Sequence, residues 1–90
     1  MRTPVYTTQF RRDLRKMEQR GYDMNKLKAI ILLLLNGSPL PAHCRDHALK
    51  GAWKSFRDLH IEPDWLLIYK VEKDNCTFHR TGTHSDIFYC

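Results

Sequence analysis

The segments Arg45-Asp46-His47, Arg57-Asp58-Leu59-His60, Asp64-Trp65 and His79-Arg80-Thr81-Gly82-Thr83-His84 string imidazoles, carboxylates and guanidinium groups through the second half of a short chain. Imidazole exchanges protons near neutral pH, and a guanidinium fork grips phosphate oxygens. Together these groups could move protons beside a phosphate. In a strand, residues two apart share a side, so Asp58 projects with His60 and Phe56. Asp64 stands across a turn from His60 and within its reach. A carboxylate so placed fixes the tautomer of the ring, although the same spacing also describes a surface ion pair in a hairpin. His84 lies just beyond a strand end that carries Arg80, which suits an arginine holding phosphate oxygens while a histidine shuttles a proton. Taken alone, it could equally be a C-terminal histidine without a role.

The remaining candidates are weaker. His47 reads as a loop residue. His43 and His47 are spaced to bind a metal together only on a helix, which Pro39 and Pro41 oppose, so no metal site is expected. His79 alternates away from Arg80 and is expected on another surface. Trp53, Trp65 and Phe88 are core candidates first, but aromatic rings beside a basic cleft also stack on RNA bases. Of these, Trp65 reads as the more structural and Phe88 as the more ligand-facing. The chain has no glycine-rich phosphate loop, no H-E-x-x-H and no G-x-S-x-G elbow.

The elements that must position these groups follow from hydrophobic spacing. Thr3–Thr7 alternates and reads as a first strand. Thr7 or Thr8 caps a helix whose Phe10, Leu14 and Met17 share a face and whose other faces carry Arg11, Arg12, Arg15, Lys16 and Arg20. Gly21 ends it. Asp23 caps a second helix from Met24 to about Leu35, stopped by Asn36-Gly37. The two form an antiparallel hairpin. A long loop from Gly37 to Gly51 leads to strands at about Trp53–Ile61, Trp65–Val71 and Cys76–Thr81. Trp65–Tyr69 is apolar on both faces and reads as the central strand. His84–Phe88 closes the chain as a turn or short helix. The order β-α-α-β-β-β predicts an α+β fold, a helical hairpin on a small, mainly antiparallel sheet.

Ninety residues allow one domain, 1–90. The apolar run Ala29–Leu35 is far short of the ~20 residues that span a bilayer, and the N-terminus lacks a signal-peptide pattern. A cytoplasmic protein without membrane contact is expected. Cys44, Cys76 and Cys90 are widely spaced with no C-x-x-C pair and read as free thiols of a reducing compartment. The formal charge is +5, and residues 1–47 carry all of it, with nine Lys/Arg against four Asp/Glu. Such a basic half favours a polyanionic partner or an acidic protein, unless it is simply a solvated surface.

Asp46-His-Ala-Leu-Lys-Gly, Trp53-Lys-Ser-Phe-Arg-Asp-Leu-His60, Glu62-Pro-Asp-Trp-Leu-Leu-Ile-Tyr-Lys70 and Arg80-Thr-Gly-Thr-His84, preceded by Asp23-Met-Asn-Lys-Leu-Lys28, closely resemble the YafQ branch of the RelE/ParE toxin superfamily. Nearly the whole chain is covered; Ala48 stands where a proline is expected. The resemblance implies a toxin of a type II toxin–antitoxin pair, a ribosome-dependent endoribonuclease that cuts translated mRNA in the A site. It implies catalytic residues His47, His60, Asp64, Arg80 and His84, with Phe88 also in the site; Trp65, Arg45 and Arg57 join Phe88 as RNA contacts. The implied partners are a DinJ/RelB-like antitoxin, the ribosome and mRNA. The free toxin is expected to be a monomer that forms a hetero-oligomer with its antitoxin.

RNA supplies its own nucleophile, the 2′-hydroxyl, so this chemistry needs neither metal nor cofactor: a base, an acid and a cation suffice. The roles expected are His84 as general acid, Asp64 with His60 as base, and His47 with Arg80 on the phosphate. Competing readings are a ParE-like gyrase inhibitor, which would not need the histidines, a plain RNA-binding module, and a remnant that binds an antitoxin without cutting.

Overall fold

A computed structural model describes residues 1–88. Strand β1 (Thr3–Tyr6) leads into helices α1 (Thr8–Gln19) and α2 (Met24–Asn36), and strands β2 (His47–Ala48), β3 (Arg57–Glu62), β4 (Trp65–Val71) and β5 (Asn75–Gly82) follow. Helix α3 (His84–Ile87) comes last. The Thr7 hydroxyl accepts from Phe10 N and starts α1, and Asp23 accepts from Asn25 N and starts α2. Gly37 ends α2 in the left-handed region at φ 67°, which a glycine enters without steric cost.

The sheet order is β1-β5-β4-β3-β2, with β1 parallel to β5 and the other pairs antiparallel. The α+β expectation holds, and β4 is the central strand. One face of β4 (Trp65, Leu67, Tyr69) packs under the helices with Phe10, Met17, Leu27, Ile30 and Leu34. The other face (Leu66, Ile68) packs with Ile87 of α3 and with Leu49, Trp53 and Phe56. Burial on both sides explains why this strand reads as an unbroken apolar run.

Two local expectations change. The strand predicted from Trp53 begins at Arg57, because Gly51–Trp53 forms a 3-10 turn and Ser55 is left-handed at φ 86°. That turn sets the Trp53 ring 6.0 Å from Phe56 and 5.8 Å from Phe88. A straight strand would forbid the first contact, since residues three apart point to opposite faces. The loop from Gly37 to Gly51 carries structure of its own: a 3-10 turn at Ala42–Cys44, pinned by the fully buried Cys44, and then β2. His43 lies in that turn and His47 in a strand, so the two do not share a helical face. Cys44 and Cys76 are free, buried thiols, and burial pushes Cys76 up to about 11. Cys90 lies outside the described residues. Among the described residues no helix is long and apolar enough to cross a membrane.

Candidate active site

The outer face of the sheet, away from the α1–α2 pair, carries the histidines. Strand pairing sets His47 of β2 directly opposite Asp58 of β3, with His47 Nε2 3.6 Å from Asp58 Oδ2. His60 projects two residues along β3 on the same side. Its ring centroid is 5.6 Å from that of His84 at the start of α3. One regularity unites the three imidazoles. His47 Nδ1 lies 2.8 Å from the Arg45 carbonyl, His60 Nδ1 3.1 Å from the Pro63 carbonyl, and His84 Nδ1 2.6 Å from Asp64 Oδ1. Carbonyl and carboxylate oxygens only accept, so Nδ1 donates in each ring. Each Nε2 is thereby left as the nitrogen that can exchange a proton.

The Arg80-Thr-Gly-Thr-His84 segment is mainly the frame that delivers His84. Arg80 donates to Asp13 of α1 from Nε (2.9 Å) and Nη2 (3.1 Å). Thr81 Oγ1 accepts from the Trp65 indole at 2.9 Å and donates to Leu66 O at 2.8 Å. Gly82 lets the chain pass Asp86, whose Cβ would sit 3.0 Å from an added methyl. Thr83 and Asp86 cap each other reciprocally at the start of α3, a capping box. Arg20 then grips Asp86 with Nη1 at 2.7 Å and Nη2 at 3.2 Å, and Lys16 adds a contact at 3.4 Å. The short α3 is therefore tied to α1 across the end of the sheet.

These contacts revise several sequence expectations. Asp64 pairs with His84 and not with His60, because the turn aims its carboxylate at the start of α3. The Arg80 fork expected on phosphate is closed on Asp13. Beyond Phe78, β1 no longer pairs with β5, and side chains of α1 and its cap take over that edge: Thr7 Oγ1 donates to His79 O, and Asp13 accepts from Thr81 N. Arg80 curls around this edge to the same carboxylate. Trp65, expected to contact RNA, is fully buried under the helices and presents no face to a base. Arg57, also expected on RNA, lies on the helix side of β3, where it pairs with Asp46 at 3.0 Å. Asp46 also accepts from the Tyr69 hydroxyl, which fastens the loop before β2.

Arg45 and Phe88, also expected on RNA, both reach the surface. Arg45 is exposed and lines, with His43, His60, Glu62 and Pro63, a cleft of about 310 Å³. Phe88 is 37% exposed and sits edge-on to Trp53 at 5.8 Å. His79, expected on another surface, lies instead on the outer face, 4.7 Å from Phe56 and 5.5 Å from Trp53, because a bulge opposite Ile68 and Tyr69 breaks the alternation between His79 and Arg80. Sequence reasoning missed Asp13 and let Asp58 drop from the catalytic set. The sole signal for Asp13 was a carboxylate near the apolar stripe of a basic helix.

Electrostatics separates the carboxylates. Hydrogen bonds from the His84 backbone and ring hold Asp64 below the usual carboxylate range. Asp86 is held lower still, chiefly by Arg20. Asp58 moves the other way: burial raises it, against the pull of His47, His60 and His84. Burial, then the charge of Arg80, pushes His79 down.

Fold and site together define a small basic α+β protein with a solvent-facing trio of anchored imidazoles. Residues 2–89 match the family described as the bacterial toxin of the type II toxin–antitoxin system, YafQ. The chain is 49% identical over 84 residues to the mRNA interferase toxin YafQ of Escherichia coli K12, covering 92% of this chain and 91% of that one. The crystal structure of YafQ from E. coli BL21(DE3) superimposes with a TM-score of 0.93 at 46% identity, covering 98% and 99% of the two chains. The toxin of the E. coli DinJ–YafQ complex gives 0.91 at 47%, with the same coverage. The chain belongs to the YafQ family of type II toxin–antitoxin toxins.

Proposed function

We propose that this chain, as one toxin domain in the cytoplasm, is an mRNA interferase: a ribosome-dependent endoribonuclease that cuts translated mRNA in the A site. One observation carries the reading. Three imidazoles are each fixed through Nδ1 and each offer Nε2 on one face, which supplies both a base and an acid for transesterification. The name of the E. coli relative, mRNA interferase toxin, supports it.

In the proposed reaction, His60 takes the 2′-hydroxyl proton on Nε2 as the oxygen attacks phosphorus. His84, its Nδ1–H held by Asp64, gives the Nε2 proton to the departing 5′-oxygen. The products are a 2′,3′-cyclic phosphate and a 5′-hydroxyl, and the proton gained by His60 balances the one lost by His84. His47 and Arg45 bind the phosphate chain. Arg80 contributes its charge and its Nη1 rather than a fork. Phe88 with Trp53 offers the stacking edge for a base.

The partners in this reading are the ribosome, mRNA and an antitoxin of the DinJ type, the partner of the E. coli relative in its complex. Arg11, Arg12 and Arg15, exposed on α1, suit contact with ribosomal RNA, and such binding should weaken as salt rises. An open apolar groove of about 460 Å³, lined by Tyr6, Phe10, Leu14, Met24, Leu27 and Ile31, separates α1 from α2 on the outside and gives an antitoxin segment a place to lie. Primer extension on an mRNA in a reconstituted translation reaction tests the function. Cuts within codons that need ribosomes support it, and an uncut message with inhibited DNA gyrase would replace it with the ParE-like reading.

A further inference from the structure

Asp58 sits beneath the imidazole trio with a side chain only 6% exposed. Its Oδ1 is buried and accepts no hydrogen bond among the described residues. Native proteins rarely leave a buried carboxylate oxygen unpaired, and such groups gather at functional sites. Its other oxygen faces His47 Nε2 at 3.6 Å. Because His47 Nδ1 already donates to the Arg45 carbonyl, a neutral ring would aim a lone pair at an ionised carboxylate. Two acceptors facing each other, one of them on a buried carboxylate, call for a proton between them.

We propose that Asp58 is a positioning residue for His47: the two hold one proton between them, and the ring presents it to an RNA phosphate. At 3.6 Å the contact is one of charge rather than a formed hydrogen bond, so an Nε2–H stays free to turn to a phosphate oxygen. Every element packed on Asp58 agrees. Strand β2 brings His47, β3 brings His60, α3 brings His84, and the loop before β2 brings Asp46 as the one opposing charge. Strand β4 contributes the apolar Ile68, which stands opposite Asp58 in the register. Burial raises the Asp58 carboxyl, in keeping with a proton held jointly.

The inference rests on the nuclease reading for its purpose but not for its test. In protein labelled with ¹⁵N-histidine and ¹³C-aspartate, NMR at neutral pH should find either a protonated His47 Nε2 or a protonated Asp58 carboxyl. A bare Nε2 together with an ionised Asp58 would overturn the proposal, whether or not the chain cuts RNA. Asp58→Asn, which is isosteric, should donate its amide N–H to Nε2 and leave His47 neutral. Cleavage should then fall by roughly 100-fold, and the alkaline limb of the pH–rate profile should move to lower pH. An unmoved limb, with cleavage lowered equally at every pH, would mean a merely structural role and would also overturn it. A wild-type chain that does not cut refutes the nuclease function, and the NMR result alone then decides whether Asp58 and His47 share a proton.

Discussion

Asp64 Oδ1 receives two hydrogen bonds from His84, one from the backbone N–H at 3.0 Å and one from the ring Nδ1 at 2.6 Å. A single oxygen thus fixes both the start of α3 and the orientation of the proposed acid, and its link to His84 spans twenty residues of sequence. Replacing Asp64 with Asn would keep an acceptor but remove the charge that matches an imidazolium. We expect Asp64→Asn to retain the fold and lose roughly 100-fold in cleavage rate. Near-normal initial rates with a folded spectrum would remove Asp64 from the acid's support.

Arg80 and Asp13 tie β5 to α1. Asp13 is 5% exposed, and losing it leaves Arg80 with only a 3.5 Å bond to the Asp86 carbonyl and Thr81 N without its side-chain acceptor. Asp13→Ala should cost about 2–3 kcal/mol in urea unfolding. Arg80→Lys should lower stability and cleavage together, since a lysine cannot make both bonds of the fork. A variant of full stability and greatly reduced cleavage would return Arg80 to direct phosphate binding.

Gly82 is the point of closest approach to Asp86. A methyl there meets the Asp86 Cβ at 3.0 Å and must push α3 outward or break its capping box. Gly82→Ala should cost about 1–3 kcal/mol and displace His84, read as reduced cleavage per folded molecule. An unchanged melting temperature would show that α3 yields freely.

The two tryptophans should behave differently. Trp65→Phe removes the indole donor to Thr81 in the core and should cost about 1–2 kcal/mol, with little change in KM. Trp53→Ala exposes the edge that faces Phe88 and should raise KM for mRNA more than it lowers stability. Similar KM changes for both would contradict the assignment of Trp53 to the stacking edge.

Asp86 sets an acid response. Its folded pKa lies below its ordinary value, first through Arg20 and then through Thr83. Its contribution to stability is therefore complete above the ordinary carboxylate range and is lost as pH falls through the lower folded value. Arg20→Gln should narrow the stability difference between pH 6 and pH 3 relative to wild type. An identical acid-unfolding curve would show that the pair contributes nothing.

The helices were legible because their causes are local. Phe10, Leu14 and Met17 recur at helical spacing, Thr7 and Asp23 cap, and Gly21 and Gly37 stop. Trp65–Tyr69 announced the central strand by being apolar at every position. The start of β3 was not legible, since nothing nearby signalled that Ser55 would turn left-handed to bring Trp53 over Phe56. Of the site, the residue types were readable: histidines 47, 60 and 84, with Asp64, all line the outer face or its rim.

The set of proton-transferring groups, and the shared side of Asp58 and His60 on β3, could be read from the chain alone, because alternation along an unbroken strand depends only on neighbouring residues. Their partners were settled by packing. Asp64 could serve His60 or His84 until the turn geometry aimed it at α3, and Arg80 could grip a phosphate or a carboxylate until α1 brought Asp13 to the open edge of β5. Asp58 became buried opposite His47 only when β2 paired with β3. Such pairings join residues far apart in the chain through strand register and the ends of strands, and no local preference encodes those.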